Sequence, residues 1–147
     1  MNCAATDIAN LLYKYAENMD SGRFEEASAM FENARVRTGK EVLDHVALLD
    51  SWRSMVKIHP GGTPRTKHVI TNPIIEVDDA AGTATCRSYY SVLQATPTVP
   101  LQVIAAGRYH DEFARVDGVW RFTFRDYSLL DLVGDLSDHL TENFSRS

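Results

Sequence analysis

The chain has 147 residues, an apolar share of 44% and a formal charge of -5. That length and composition fit one globular domain with one core, expected to span residues 1–147, and the acidic balance argues against nucleic acid or an anionic membrane surface as a partner. No apolar run reaches the ~20 residues that cross a bilayer. The segment from Met1 to Asp7 has neither the basic start nor the apolar block of a signal peptide, so a cytoplasmic location is expected.

The first predicted helix starts after Thr6, a plausible N-cap. Ile8, Leu11, Leu12, Tyr15 and Met19 fall at helical spacing along it. Asp20-Ser21-Gly22 ends it, with Gly22 suited to a left-handed cap. A short second helix carries Phe24, Ala27 and Phe31 on one face. A third is predicted from about Lys40 to Val56, with Val42, Val46, Leu49, Trp52 and Val56 as its apolar stripe.

Pro60-Gly61-Gly62-Thr63-Pro64 closes the helical half, and the period then changes to two. His68 to Val77 reads as a strand in which Pro73 implies an edge or a bulge. Thr83 to Gln94 alternates, and Leu101 to Val116 is a long strand. Asp117-Gly118 is a two-residue hairpin turn into Val119 to Leu130. The tail from Asp131 has helical propensity and is placed to fold back across an opening. Helices followed by strongly paired strands define an α+β class, here a cone-shaped, curved antiparallel sheet wrapped around the N-terminal helices with an internal pocket.

Cys3 and Cys86 lack metal or redox spacing and read as two free thiols in a reducing compartment. His110-Asp111-Glu112 is no ligand set under alternation, which turns Asp111 to the opposite face, so these read as solvated or interfacial. Nucleophile-elbow, P-loop and dinucleotide fingerprints are absent from the sequence.

Several local motifs occur in a particular order: Leu12-Tyr13-Lys14-Tyr15-Ala16 leading to Asp20-Ser21-Gly22, then Arg65-Thr66-Lys67-His68 with Thr71-Asn72, then Gly107-Arg108-Tyr109 and Asp117-Gly118-Val119-Trp120-Arg121-Phe122. Over roughly residues 6 to 135 this pattern resembles the SnoaL-like, polyketide-cyclase-like branch of the nuclear transport factor 2-like superfamily. That superfamily includes scytalone dehydratase, bile-acid dehydratase, a hexachlorocyclohexane dehydrochlorinase, polyketide cyclases and ketosteroid isomerase. It also includes small subunits of ring-hydroxylating dioxygenases, so the fold alone assigns no reaction.

The resemblance implies a catalytic pair, Asp20 and His68. A carboxylate accepting one imidazole N–H fixes the tautomer and raises the basicity of the other nitrogen, which then takes a proton from carbon as a leaving group departs. Neither a metal nor another cofactor is required. Asp20 also reads as ordinary turn chemistry, and His68 as a satisfied strand histidine.

Tyr15 matches a tyrosine of bile-acid dehydratases and would donate to developing negative charge, but it also belongs to the apolar stripe of its helix. At roughly 100° per residue, Tyr15 and Asp20 diverge by about 140° unless the helix ends near Asp20. Arg125 matches an arginine of the dehydrochlorinase site and would hold an anionic oxygen or leaving group. Strict alternation sets Arg121, Thr123, Arg125 and Tyr127 on one face and Trp120, Phe122 and Phe124 on the other, and the first face also reads as solvated. Where the dehydratase pattern has a second acid, this chain has Val92.

The first reading is therefore a cofactor-independent lyase or isomerase. Its substrate would be a small apolar or aromatic molecule, held by Leu12, Met19, Trp52, Val56 and Val92. The alternative is a ligand-binding or assembly subunit, such as one beside an iron–sulfur oxygenase chain. The resemblance implies a homo-oligomer, dimer or trimer, in either case.

Overall fold

Helix α1 (Ala4–Asp20) buries Ile8, Leu12, Tyr15, Ala16 and Met19, the stripe its spacing predicts. It begins before Thr6, with Cys3 at the N-cap position. At its end the Ser21 N–H donates to Glu17, that of Gly22 to Met19 and that of Arg23 to Asn18, which satisfies carbonyls left open by the last turn. Gly22 has φ +75°, and a Cβ there would stand 2.2 Å from the Gly62 carbonyl oxygen. Only glycine lets the Pro60–Pro64 loop close against the end of α1.

Helix α2 (Phe24–Ala29) buries Phe24, Ala27 and Ser28. The chain then departs from the predicted pattern. Residues Arg35–Thr38 form β1 and Glu41–Leu43 form β2, an antiparallel hairpin turned at Gly39, whose φ is +51°. Helix α3 is consequently shorter than predicted, His45–Met55, and is capped by the Asp44 carboxylate accepting from the Ala47 N–H at 2.9 Å. Val42 and Val46 lie outside the core, and Leu48 and Trp52 supply the buried face of α3. Periodicity alone ran the helix through a segment that instead pairs with β1.

The remaining strands are β3 (Thr66–Asp78), β4 (Thr83–Gln94), β5 (Gln102–Val116), β6 (Val119–Asp126) and β7 (Leu130–Val133). They form one seven-stranded sheet in the order β2-β1-β6-β5-β4-β3, with β7 pairing β5 beyond the end of β6. β1 runs parallel to β6, so the sheet is mixed rather than wholly antiparallel. Asp117 and Gly118 turn the β5–β6 hairpin with φ +51° and +80°. β3 is an edge strand, and its register shifts between Thr71 and Ile74, where Pro73 offers no N–H.

Helix α1 packs on β3 and β6, and α2 packs on α1 and α3. The architecture is α+β, a curved open sheet wrapped on N-terminal helices. The computed structural model describes residues 3–142. No helix among them is long and apolar enough to cross a membrane. The tail is strand rather than helix at Leu130–Val133. It then crosses back to pair Leu140 with Val56, while its last part, residues 143–147, lies outside the described residues.

Candidate active site

Asp20 is the last residue of α1, and Thr66 and His68 open β3 on one strand face. The loop closed by Gly22 and Gly62 brings these elements together. The Asp20 carboxylate accepts from the Thr66 hydroxyl at 2.9 Å and from the His68 backbone N–H at 2.7 Å, and it lies 2.6 Å from His68 Nδ1. Both side chains are over nine-tenths buried.

A carboxylate only accepts, so Nδ1 carries a proton, and in the neutral ring the lone pair lies on Nε2. Burial would raise the Asp20 carboxyl. The hydrogen bond and charge of His68, the His68 N–H and the Thr66 hydroxyl outweigh it and hold the group below its usual range. These bonds also offset the unfavourable position of a carboxylate at a helix C-terminus. A cleft of about 340 Å³ between α1 and β3 reaches the pair from solvent, lined by Tyr13, Ala16, Asp20, Lys67, His68 and Ile70 among others. A larger depression of about 610 Å³ lies at the far end of β3 and β4, lined by residues including Glu76, Asp78 and Thr123 but by no histidine, cysteine or lysine. It offers no base.

Tyr15 is wholly buried beside this pair. Its ring meets that of His68 edge-on at 6.2 Å, and its hydroxyl is 2.8 Å from that of Tyr127. Burial, then the neighbouring Tyr109 and Tyr127, push its phenol well above the ordinary value, so it stays protonated and able to donate.

Arg125 lies on the inner face, wholly buried, against the predicted alternation. The reason is a bulge. Glu112 pairs with Phe124 and Phe113 with Phe122, so Thr123 is an extra residue that reverses the facing of everything after it. Asp111, expected at the surface or an interface, is likewise buried. Its two oxygens accept from Arg125 Nε at 2.7 Å and Nη2 at 3.0 Å. Burial raises the Asp111 carboxyl despite Arg125. Burial also works against the Arg125 charge, but the Asp111 carboxylate overcomes this and strengthens the guanidinium as a base. The guanidinium carbon stands 3.8 Å over the Tyr109 ring and 4.4 Å over that of Tyr15. Arg125 therefore reaches the dyad through Tyr15; Asp111 engages its Nε and Nη2, while its buried Nη1 has no partner among the described residues.

Val92 is the β4 partner of His68 and is buried with Ile104 and Ala105, with no carboxylate at that position. Leu12, Met19 and Trp52 are buried on the helical side, and Val56 is half-buried beside them. Thr66, Tyr109, Tyr127 and His139 were not among the site residues expected from sequence, and Asp111 was expected there only as a solvated or interfacial side chain. The two-residue spacing of Thr66 and His68, and of Tyr109 and Asp111, is the signal that strand alternation offers for three of them. His139 has no such local signal.

A curved sheet wrapped on N-terminal helices is the cystatin-like, nuclear transport factor 2-like fold seen among solved structures. The chain belongs to the family of the SnoaL-like domain, whose model matches residues 3–126. A variant of Rv3472, a Mycobacterium tuberculosis protein of unknown function, is 24% identical over 88% of this chain and 72% of its own, with a TM-score of 0.69. A protein provisionally named a scytalone dehydratase, from Novosphingobium aromaticivorans, is 22% identical over 89% of this chain and 86% of its own, with a TM-score of 0.67. The β subunit of a provisionally assigned aromatic-ring-hydroxylating dioxygenase of the same organism is 15% identical over 91% and 94%, with a TM-score of 0.68. Among curated proteins, none matches the sequence significantly. At these identities the likenesses establish fold, and they span both an enzyme and a subunit.

Proposed function

We propose that the chain is a cofactor-independent, dehydratase-like lyase or isomerase in which His68 is the general base and Asp20 its orienting partner. One observation carries this reading. The Asp20 carboxylate holds both the ring and the backbone of His68, together with the Thr66 hydroxyl. Such a base is fixed in tautomer and direction before any substrate arrives.

For a β-hydroxy ketone, His68 Nε2 takes the proton from the carbon beside the carbonyl. The C–H electron pair becomes the new double bond and the C–O bond breaks. The departing hydroxyl takes the proton back from His68 and leaves as water, so the histidine ends neutral. In an isomerase the same nitrogen returns the proton to another carbon. Tyr15, kept protonated, is the donor for charge developing on the substrate. Arg125 is a positioning residue that holds Tyr15 and Tyr109 in place. Leu12, Met19, Trp52, Val56 and Val92, which lie on the core side rather than along the cleft, are the apolar walls assigned to a small apolar or aromatic molecule.

The test is incubation of the protein, and of His68→Gln, with cyclic β-hydroxy ketones, following the absorbance of the conjugated product. Turnover lost with His68→Gln supports the reading, and an equal rate in both proteins sinks it.

A second reading, a ligand-binding or assembly subunit, is favoured by a different observation. Leu101 and Leu132 are 72% and 69% exposed and Val103 is also exposed; Leu101 lies just before β5, Val103 on β5, and Leu132 on β7, which pairs with it. Such a surface suits a covered face, in a homo-oligomer or beside a larger oxygenase chain. Light scattering of the purified chain tests it, and a monomer at high concentration removes the homo-oligomeric form.

A further inference from the structure

Arg65 opens the stretch Arg65-Thr66-Lys67-His68 and stands just before β3 with φ +59°, in the left-handed region that glycine enters freely and other residues at a cost. Burial does not explain an arginine there, because the residue is exposed. Its Nε instead donates to the Ala95 carbonyl at 2.7 Å, just beyond the end of β4. A glycine would suit the backbone but could not make this bond.

The same junction is held at further points. The Ala95 N–H donates to the Arg65 carbonyl at 3.4 Å, and the amide nitrogen of the buried Gln94 donates to the Pro64 carbonyl at 3.0 Å. The Arg65 N–H donates to the Thr63 hydroxyl at 3.2 Å. A backbone outlier persists only where its surroundings over-determine it, and here they do. These bonds pin the turn to β4, not to α1.

The dyad follows this turn directly. Thr66, the next residue and the β4 partner of Gln94, gives Asp20 its hydroxyl. His68, two positions further on, gives Asp20 both its backbone N–H and its ring. Side chains at i and i+2 share one face of a strand, while a backbone N–H lies in the plane of the sheet. A rotation of the strand start therefore moves all of these donors together, relative to a carboxylate held at the end of α1. Among the described residues the polar bonds of Arg65 go to Thr63 and Ala95, and to neither member of the pair.

We propose that Arg65 is a positioning residue of the dyad: its left-handed backbone turns the chain out of the Pro60–Pro64 loop, and its guanidinium locks that turn to β4 so that Thr66 and His68 meet Asp20. This rests on reading Asp20 and His68 as the reactive pair.

The test is NMR of the full chain, comparing Arg65→Gly with the parent by amide hydrogen exchange and by the ¹⁵N shifts of the His68 ring. Glycine accepts the backbone conformation and removes only the side-chain lock. The variant should therefore melt no lower than Arg65→Ala, which keeps the left-handed φ and also lacks the lock. In Arg65→Gly the His68 backbone N–H is expected to exchange about tenfold faster, the worth of one hydrogen bond. Its ring should show mixed tautomers, while the amides of the central strand β5 keep their protection. On a cyclic β-hydroxy ketone, kcat should fall about tenfold with KM unchanged. Arg65→Lys, which returns a donor toward the Ala95 carbonyl, is expected to recover most of the protection. An unchanged His68 N–H and ring in Arg65→Gly would overturn the proposal. So would a loss of protection spread evenly through β5, since that is a stability effect. Altered His68 signals in a chain without His68-dependent turnover would refute the catalytic reading and leave the positioning of the pair by Arg65 standing.

Discussion

Asp111 and Arg125 face each other as register partners on β5 and β6 and close a two-point ion pair, 2.7 and 3.0 Å, with neither side chain reaching solvent. Tyr109 and Tyr15 stack on the guanidinium, so the pair holds the aromatic wall that separates it from His68. Asp111→Leu strands a buried cation and is expected to cost about 3–5 kcal/mol of stability. Combining it with Arg125→Met should recover most of that loss, because the charge leaves with its partner. Urea denaturation midpoints of the two variants decide this, and a single-variant loss below about 1 kcal/mol would show that the pair contributes little to the fold.

Asp20→Asn keeps the size of the side chain and removes the charge that fixes the ring. The ¹⁵N shifts of His68 in the parent are expected to show a protonated Nδ1 and a bare Nε2, and the variant should show mixed tautomers. On any substrate found, kcat should fall by about 10²–10⁴. A tautomer indifferent to the substitution would leave Asp20 a structural cap.

Acid should unfold the protein in two stages. His139 is held near 4 in the folded chain against 6.5 in the unfolded one. The unfolded chain therefore binds more protons between those values, and stability falls as pH drops through that window, by about 1–3 kcal/mol for this partly exposed group. Asp20, lowered from 3.8, adds a loss that sets in as pH falls further toward its native value. Melting temperatures at pH 7, 5.5 and 4.5 measure the first stage, and His139→Phe is expected to flatten it.

The two thiols should differ sharply. Cys3 is exposed, and hydrogen bonds from the Thr6 hydroxyl and backbone lower its pKa. Cys86 is buried, and burial followed by the charge of Asp111 pushes its thiol up to about 12. One equivalent of a disulfide reagent should react with the native chain and a second only in denaturant. Two fast equivalents would mean that the interior around Asp111 opens readily.

Periodicity determined much of this molecule unaided. The stripe of α1, the whole of β4 and the Asp117–Gly118 turn are local patterns, because a helix of 3.6 residues per turn and a strand of two write their buried faces into the chain. Two things were decided only in three dimensions. Thr123 inserts one residue into β6 and turns Arg125 inward to Asp111, which no regular alternation can express, since a bulge is a mismatch between two strands rather than a property of one. Asp20 and His68 are 48 positions apart. They meet because α1 stops at Asp20 and Gly22 admits the Gly62 carbonyl at a distance that any side chain would forbid. Residue types and order made the pair conceivable, and the close approach of two backbones made it a contact.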